Sequence, residues 1–333
     1  LSAGVHQALQ TRYPQALLLN STRHAQHDES LDQGEQSDTN SLFTTFCEDH
    51  SHASQHLIYQ STDSITQAQL LTSKTLIMVD DEASTGNTCV NVVTALRDAG
   101  LIQLEQVHLT TLVDWSLDQE NTNQQTNGAQ PARMADRLIG IEFHRHHLLS
   151  GAWQWTDAPN PEPITMPSVD TTAAGSQALG FTGNWGRFPT LDSTNGFDNY
   201  LSSFKATFAG FYNQDRFDVS QLPKKILVLG SNEFVWLPFL LAEWLEAASQ
   251  NLKADRDAIV KFSALTRSPI ALGGAITNIL SFHDNYGLGM TNFAYNVEPS
   301  DWDLIVLCVE TAADSVDAMW RGLDNVLVVS PTT

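Results

Sequence analysis

Residues 76–88 constrain the fold more than any other part of the chain. Four apolar residues are followed by Asp80 and Asp81, and the stretch ends in a short segment, 84–88, that is rich in serine, threonine and glycine. The apolar run predicts a buried strand, and the residues after the loop, 89–99, predict a helix. A strand, a short loop and a helix in this order indicate an α/β fold.

The loop between this strand and this helix has the composition of a phosphate-binding site. Its backbone N–H groups and hydroxyls would meet an anion at the helix N-terminus, where unpaired donors and the helix dipole both favour negative charge. Gly86 lets the backbone approach a ligand closely. The residues that would bind the phosphate are Ser84, Thr85, Gly86, Asn87 and Thr88.

Asp80 and Asp81 stand directly before this loop. Two carboxylates in that position can accept hydrogen bonds from two neighbouring hydroxyls, so a ribose 5-phosphate fits the site. The alternative is an ordinary strand-to-helix turn with two solvated aspartates. The coincidence of a strand, an acid pair, a glycine and several hydroxyls favours the binding site.

The stretch closely resembles the motif by which type I phosphoribosyltransferases bind phosphoribosyl pyrophosphate (PRPP). In that family the two acids hold the ribose 2′ and 3′ hydroxyls, and the loop after them holds the 5′-phosphate. The resemblance implies these roles for Asp80 and Asp81 and for residues 84–88. Glu82 departs from the pattern, because an apolar or small residue is usual at that position.

The charge balance limits the partners of this chain. Its 333 residues carry a formal net charge of −21 at pH 7. Such a surface would repel a nucleic acid backbone, whereas a small anion can still bind locally through backbone donors and Mg²⁺. The sequence shows no signal peptide and no membrane span. Cys47, Cys89 and Cys308 lie far apart, which predicts a reducing, cytoplasmic environment.

Strands and helices alternate through the first part of the chain. Helical spacing is present at residues 1–9, and strands are expected at 16–20, 56–61 and 106–113. This alternation predicts a mostly parallel sheet that binds its ligand at the carboxyl ends of the strands. The resemblance implies a further strand and a pyrophosphate-binding loop before residue 1, so we expect those residues to be missing.

The predicted fold class is α/β, with an N-terminal type I phosphoribosyltransferase-like parallel sheet and a smaller C-terminal doubly wound domain. A proline-rich span that begins near residue 159 marks the boundary. Residues 1–157 are assigned to the first domain, 158–222 to an irregular junction and 223–333 to the second domain. The second domain is expected to contain strands at 225–230, 258–265, 304–309 and 326–330 and a helix at 233–249.

Two groups of histidines are candidates for chemistry. Glu48, His50 and His52 would share one face of an extended segment, as an acid/base or metal-binding group. The alternative is a solvated loop with incidental histidines. His144 and His146 would likewise share one face of a strand and suggest a metal site, although an exposed edge strand explains their polarity equally well.

The motif Thr266-Arg267-Ser268-Pro269 gives a narrower resemblance. The chain is similar to bacterial phosphoribosyltransferases of tellurite-resistance and stress operons, which carry a C-terminal domain named TRSP after this motif. Segments 21–23, 48–53, 230–234 and 284–287 agree with that family as well. The resemblance implies a catalytic role for Glu48, His50 and His52.

The same resemblance implies a role for Arg267, with a capping or interdomain ion-pairing arginine as the alternative. The candidate residues of a second-domain site are Glu233, Arg267, Ser268, Asp284, Asn285 and Tyr286. They fall at predicted strand ends, where open α/β sheets bind ligands.

These observations predict a Mg²⁺-dependent enzyme that transfers a 5-phosphoribosyl group between PRPP and an unidentified, base-like acceptor. Residues 48–52 are the candidate lid and acid/base element, and Mg²⁺ would bind substrate oxygens and water more than protein side chains. One alternative is a non-catalytic sensor or scaffold that binds PRPP or a nucleotide. Another is a separate catalytic site in the second domain. The expected partners are the small-molecule substrate, a second copy of the chain in a homodimer, and other operon-encoded proteins.

Overall fold

The computed structural model describes residues 1–26, 42–47, 55–116, 134–152, 156–157, 163–169, 186–250 and 258–331. The chain forms two compact units. Unit 1 contains residues 1–23, 30–161 and 186–193, and unit 2 contains residues 24–29, 162–185 and 194–333. Among the described residues, no helix combines the length and the apolar character that a membrane crossing requires.

Unit 1 is built on a three-stranded sheet. In chain order its elements are α1 (Ser2–Gln10), β1 (Leu42–Cys47), β2 (Gln55–Tyr59), α2 (Ser64–Leu71), β3 (Thr75–Ala83), α3 (Asn87–Asp98), β4 (Gln106–Asp114), α4 (Met134–Arg137) and β5 (Glu142–Ser150). Strands β3, β4 and β5 pair in that order and are all parallel, as predicted. Strands β1 and β2 form a separate antiparallel hairpin.

Helix α3 joins the sheet and the hairpin into one core. Its Val93 packs with Val107 and Leu109 of β4, all of them buried. Leu96 of the same helix packs with Phe46 of the hairpin. Helix α3 therefore has a fixed position relative to the carboxyl end of β3, where the predicted phosphate-binding loop begins.

Several local predictions for unit 1 were wrong. Residues 16–20 form no strand, and only Leu18 makes a bridge, with Thr190. The sequence analysis also assigned no helix to residues 64–71, which form α2; this helix begins where the Asp63 side chain accepts a hydrogen bond from the Thr66 N–H. Strand β3 is partly exposed, since it lies at an edge of the sheet and packs on α3 through one face.

Unit 2 is built on a four-stranded parallel sheet. Its elements are α5 (Phe197–Phe211), β6 (Lys225–Ser231), α6 (Trp236–Gln250), β7 (Ile259–Leu265), β8 (Ile279–His283), β9 (Thr291–Tyr295), β10 (Leu304–Cys308), α7 (Ala318–Arg321) and β11 (Val326–Val329). The sheet has the order β11-β10-β6-β7. All four of its strands were predicted.

Both faces of the unit 2 sheet are covered. On one face Ile226 packs with Phe204 of α5 and Leu241 of α6. On the other face Leu227 packs with Trp320 of α7 and with the hairpin of β8 and β9. Burial on both faces explains the nearly continuous apolar runs of β6 and β10.

The predicted junction at 158–222 contains regular structure after all. Helix α5 lies within it, and its Tyr200, Phe204 and Phe208 are fully buried. Their spacing of four residues is the helical signal that the sequence contained. The hairpin of β8 and β9 was also not predicted.

Candidate functional site

The predicted phosphate-binding loop lies between the end of β3 and the start of α3. Strand β3 continues to Ala83, and Gly86 is the N-cap residue of α3, which no side chain caps. Among the described residues, no acceptor pairs with the backbone N–H groups of Thr85, Gly86 or Thr88. The N–H of Asn87 has a 3.4 Å contact with the Thr85 hydroxyl. The loop therefore presents free donors at the positive end of the helix dipole.

Gly86 is required by the backbone and by its surroundings. Its φ angle is +71°, in the left-handed region. A Cβ atom at this position would also meet the side chain of Met134, the buried first residue of α4, which would have to shift. The close approach of this backbone to a ligand, which the sequence predicts, stays a prediction.

Asp80 and Asp81 lie within β3, whereas the sequence suggested a strand that ends before them. Adjacent strand residues point to opposite faces, so the two carboxylates leave the backbone on opposite sides. Asp80 is half-buried and shares its face with Met78, which packs beneath α3. Asp81 is exposed, and its N–H donates to Asp80 Oδ1 at 3.0 Å. Their roles toward the two ribose hydroxyls stay a prediction.

The pKa of the buried Cys89 thiol depends on its burial and on the charged side chains around the first turn of α3. Burial raises the pKa of this thiol to about 12, so it is protonated at neutral pH. The charges of Arg145, Asp80 and Arg137 also act on it. Two cations and one carboxylate therefore lie near the start of α3.

Arg137 is a site residue that the sequence analysis missed. Its Nη1 donates to the side-chain Oδ1 of Asn87 at 2.8 Å, which brings a guanidinium to the first residue of α3. A guanidinium can bind phosphate through two parallel hydrogen bonds. No local pattern marks Arg137, because it lies 50 residues from Asn87 in the sequence.

A second polar group lies at the end of β4. Asp114 is 1% exposed and accepts hydrogen bonds from the Ser116 N–H, at 2.8 Å, and from the Ser116 hydroxyl. Arg145 Nη1 donates to the Ser116 hydroxyl at 2.9 Å and lies 3.7 Å from Asp114 Oδ2. Asp114 pairs with Ala83 across the sheet, so this group lies beside the loop. Its sequence signal was an acid at the end of an apolar strand, as at Asp80.

Glu48, His50 and His52 lie outside the described residues, so their assignment as catalytic residues stays a prediction. Strand β1 ends directly before them at Cys47. The carbonyl of Cys47 accepts a hydrogen bond from the Asn91 side chain of α3 at 3.0 Å. The end of β1 is thus fixed about one helical turn from the phosphate-binding loop.

His144 and His146 lie on one face of β5 with His108 of β4. His108 Nδ1 is 2.9 Å from His146 Nε2, and the His108 and His144 rings stack at 4.6 Å. Burial, together with the charges of these two neighbours, lowers the pKa of His108. Within the described part of the chain, no three or more His, Cys, Asp or Glu residues are arranged to hold a metal. Strand β5 is an edge strand, which supports the non-metal explanation.

The residues predicted for a second-domain site all lie near strand ends of unit 2. Arg267 follows β7, Glu233 lies in the turn after β6, and residues 284–286 follow β8. Asp284 stabilises its own turn, because its carboxylate accepts three backbone N–H groups. Ser268 is exposed, and its carbonyl accepts a hydrogen bond from a tyrosine hydroxyl of β9 at 2.7 Å.

Two family models match the chain. Residues 1–137 match a phosphoribosyl transferase family. Residues 202–327 match the TRSP domain that lies C-terminal to that transferase domain. Together the two matches give the architecture that the sequence predicted, a phosphoribosyl transferase domain followed by a TRSP domain. Neither the curated proteins nor the solved structures contain a match. The predicted domain boundaries at 157 and 222 stay predictions.

Proposed function

We propose that the protein transfers a 5-phosphoribosyl group between PRPP and a base-like acceptor, with the help of Mg²⁺. The transferase family supports this reaction at the coarse level. The observation that carries the proposal is the loop before α3, whose unpaired N–H groups stand at a helix N-terminus with Asp80 close by. A phosphate and a ribose hydroxyl would find their partners within this one loop.

The residues of unit 1 would position the sugar and stabilise charge. The loop N–H groups and Arg137 hold the 5′-phosphate through charge-assisted hydrogen bonds. Asp80 accepts a hydrogen bond from a ribose hydroxyl, and the same role for Asp81, on the opposite side of β3, rests on the resemblance alone. When the bond from ribose C1 to pyrophosphate breaks, the electron pair leaves with the pyrophosphate, and positive charge develops on the sugar. The nearby carboxylates stabilise this charge, a lone pair of the acceptor forms the new bond to C1, and the proposed acid/base element at 48–52 takes the acceptor's proton.

The donor set of unit 1 fits Mg²⁺. Asp80, which lies near the start of α3, offers a carboxylate ligand of the kind that Mg²⁺ prefers. Because Mg²⁺ keeps several waters and takes further ligands from substrate phosphates, one or two protein carboxylates suffice. The bound ion would neutralise the pyrophosphate leaving group.

Residues 48–52 are the proposed lid and acid/base element of this reaction. The support for this role is the hydrogen bond from Asn91 of α3 to the carbonyl of Cys47, the residue directly before the segment. The stress-operon and tellurite-resistance setting, a cytoplasmic location and a homodimer or operon-encoded partners are part of the proposal. They are carried by the resemblance of the TRSP motif alone.

Calorimetric titration of the full chain with PRPP and Mg²⁺ tests the binding step, and pyrophosphate release with a panel of heterocyclic bases tests the chemistry. Binding together with base-dependent release is the expected result. Binding without release across a broad panel would favour a PRPP sensor. A folded protein that does not bind PRPP would contradict both functions.

A further inference from the structure

The unit 2 sheet reverses its strand order at β6. Strand β7 lies on one side of β6, and β10 lies on the other. In open α/β sheets the two connections at such a reversal diverge to opposite sides. They leave a crevice at the carboxyl ends of the strands, and ligands bind there. In unit 2 this point is formed by Ser231, the last residue of β6, and by Glu310 and Thr311, which follow β10.

Buried polar side chains meet at this point. Ser231 is fully buried, and its hydroxyl donates to Asn285 Oδ1 at 2.5 Å. The Asn285 amide donates to the Thr311 hydroxyl at 2.7 Å. The Tyr286 hydroxyl donates to Glu310 Oε1 at 2.7 Å, and Glu310 is 1% exposed. Three separate parts of unit 2 are thus held in one polar network, which adjoins a small cavity lined in part by Ser231 and Asn285.

Arg267 lies against this network. Its guanidinium carbon is 5.8 Å from the centre of the Tyr286 ring. Its Nη2 is 3.4 Å from Nε2 of His24, a residue of unit 2 whose ring stacks on Tyr286 at 4.3 Å. Arg267 of the Thr-Arg-Ser-Pro motif therefore lies beside Tyr286 of the segment 284–286.

Among the residues that the structure describes, no carboxylate forms an ion pair with Arg267. The side chain is partly buried, and within the described residues it makes no ion pair and its Nε has no hydrogen-bond partner. This is unusual in a chain with a net charge of −21, where carboxylates outnumber cations. A partly desolvated guanidinium is stable when an anion pairs with it, and its free donors match the oxygens of a phosphate or carboxylate.

We propose that unit 2 contains its own binding site for a small oxyanion ligand, a metabolite that carries a phosphate or a carboxylate. Arg267 holds the anionic group, and the buried Tyr286, whose ring lies 5.8 Å from the guanidinium carbon and whose hydroxyl is held by Glu310, positions the arginine. This site uses no residue of the phosphate-binding loop of unit 1, so it stands independently of the proposed phosphoribosyl transfer.

Calorimetric titrations of the full chain with inorganic phosphate, ribose 5-phosphate and succinate test the proposal. In the variant Arg267→Gln, one class of binding site should be lost, or its affinity for the probe should fall about tenfold or more. The reason is that the substitution removes a charge-assisted contact. Arg267→Lys should retain part of the affinity. Arg216→Gln is the matched control and should bind like the wild type, since Arg216 is exposed and lies in the segment between α5 and β6, outside the polar network.

Arginine modification of the wild-type protein gives a second test that does not depend on the folding of a variant. Phenylglyoxal labelling, read by mass spectrometry, should slow at Arg267 when a ligand is bound and stay unchanged at Arg216. If only the two phosphates protect Arg267 from labelling, the ligand carries a phosphate. If succinate protects Arg267 as well, the site binds oxyanions in general. Equal labelling of Arg267 with and without all three probes would overturn the proposal. Protection of Arg137 reports separately on unit 1, so the two proposals can fail independently.

Discussion

Gly86 sets the geometry of the phosphate-binding loop through two constraints, its positive φ and the closeness of Met134. Gly86→Ala should lower the free energy of unfolding by at least about 1–2 kcal/mol, the usual cost of a left-handed conformation for an L residue. It should also weaken PRPP binding. Gly140→Ala is the control, because its φ is +76° but no atom lies within 4 Å of the added Cβ. Denaturant unfolding and calorimetry would measure both effects, and equal PRPP affinities of the two variants would contradict the account.

Arg137 supplies positive charge beside the loop in a strongly acidic chain. Arg137→Gln should weaken PRPP binding about tenfold, the effect of losing one charge-assisted hydrogen bond. Arg97→Gln removes the same charge from the last turn of α3, where Arg97 donates to a backbone carbonyl at 3.2 Å, and should leave binding unchanged. If both variants bind PRPP like the wild type, Arg137 has no role in the site.

The three cysteines should differ in reactivity. Burial raises the pKa of the thiols of Cys89 and Cys308 to about 12, so both stay protonated and shielded, whereas Cys47 is exposed. Because the thiolate is the nucleophile, iodoacetamide at pH 8 should label Cys47 first. The two buried thiols should react only after denaturation. Mass spectrometry would show this order, and labelling of Cys89 as fast as Cys47 would refute the packing around α3.

Single residues were predictable only where a local pattern carried the signal. Gly86 and the loop hydroxyls were found because they are consecutive and follow a strand. Arg137 and Arg145 were not, since they reach the site through contacts between residues that are far apart in the sequence. The alternation of a strand also places Asp80 and Asp81 on opposite sides, which a motif of adjacent letters does not reveal.

At the scale of elements, strands buried on both faces were predicted more accurately than strands at an edge. The apolar runs of β6 and β10 identified them directly, because helices and a hairpin cover both sides of their sheet. For β3 the same kind of run gave the wrong burial, because exposure depends on which elements cover the sheet. The exposure of a strand is set by the tertiary structure, so the sequence of the strand alone does not predict it.

The three neighbouring histidines of β4 and β5, His108, His144 and His146, should make the free energy of unfolding of unit 1 depend on pH. Burial and the charges of His144 and His146 lower the pKa of His108 below its ordinary 6.5 in the folded protein, and Glu142 opposes this shift. The unfolded chain then binds more protons, so the free energy of unfolding falls as the pH drops below 6.5. The loss is complete below the folded pKa. His108→Gln should flatten this dependence in denaturant unfolding between pH 7 and the folded pKa, and an unchanged slope would contradict it.

At the scale of the whole molecule, the sequence predicted two α/β regions but not how the chain is shared between them. Residues 24–26 belong to unit 2 although they follow α1, and residues 186–193 belong to unit 1 although they precede α5. These assignments arise from long-range contacts, such as the bridge of Leu18 with Thr190. The alternation of strands and helices along a sequence does not show which unit each of these segments joins.

The central claim is that a helix N-terminus and two adjacent aspartates in unit 1 bind a phosphorylated ribose. The most direct test is calorimetric titration of PRPP with Mg²⁺ into the full chain and into the double variant Asp80→Asn/Asp81→Asn. Circular dichroism would check that both proteins are folded. The account predicts that the wild type binds PRPP and that the double variant binds it at least about tenfold more weakly. Equal binding by the two folded proteins would contradict the assignment of the aspartates, and no binding by the folded wild type would contradict the site itself.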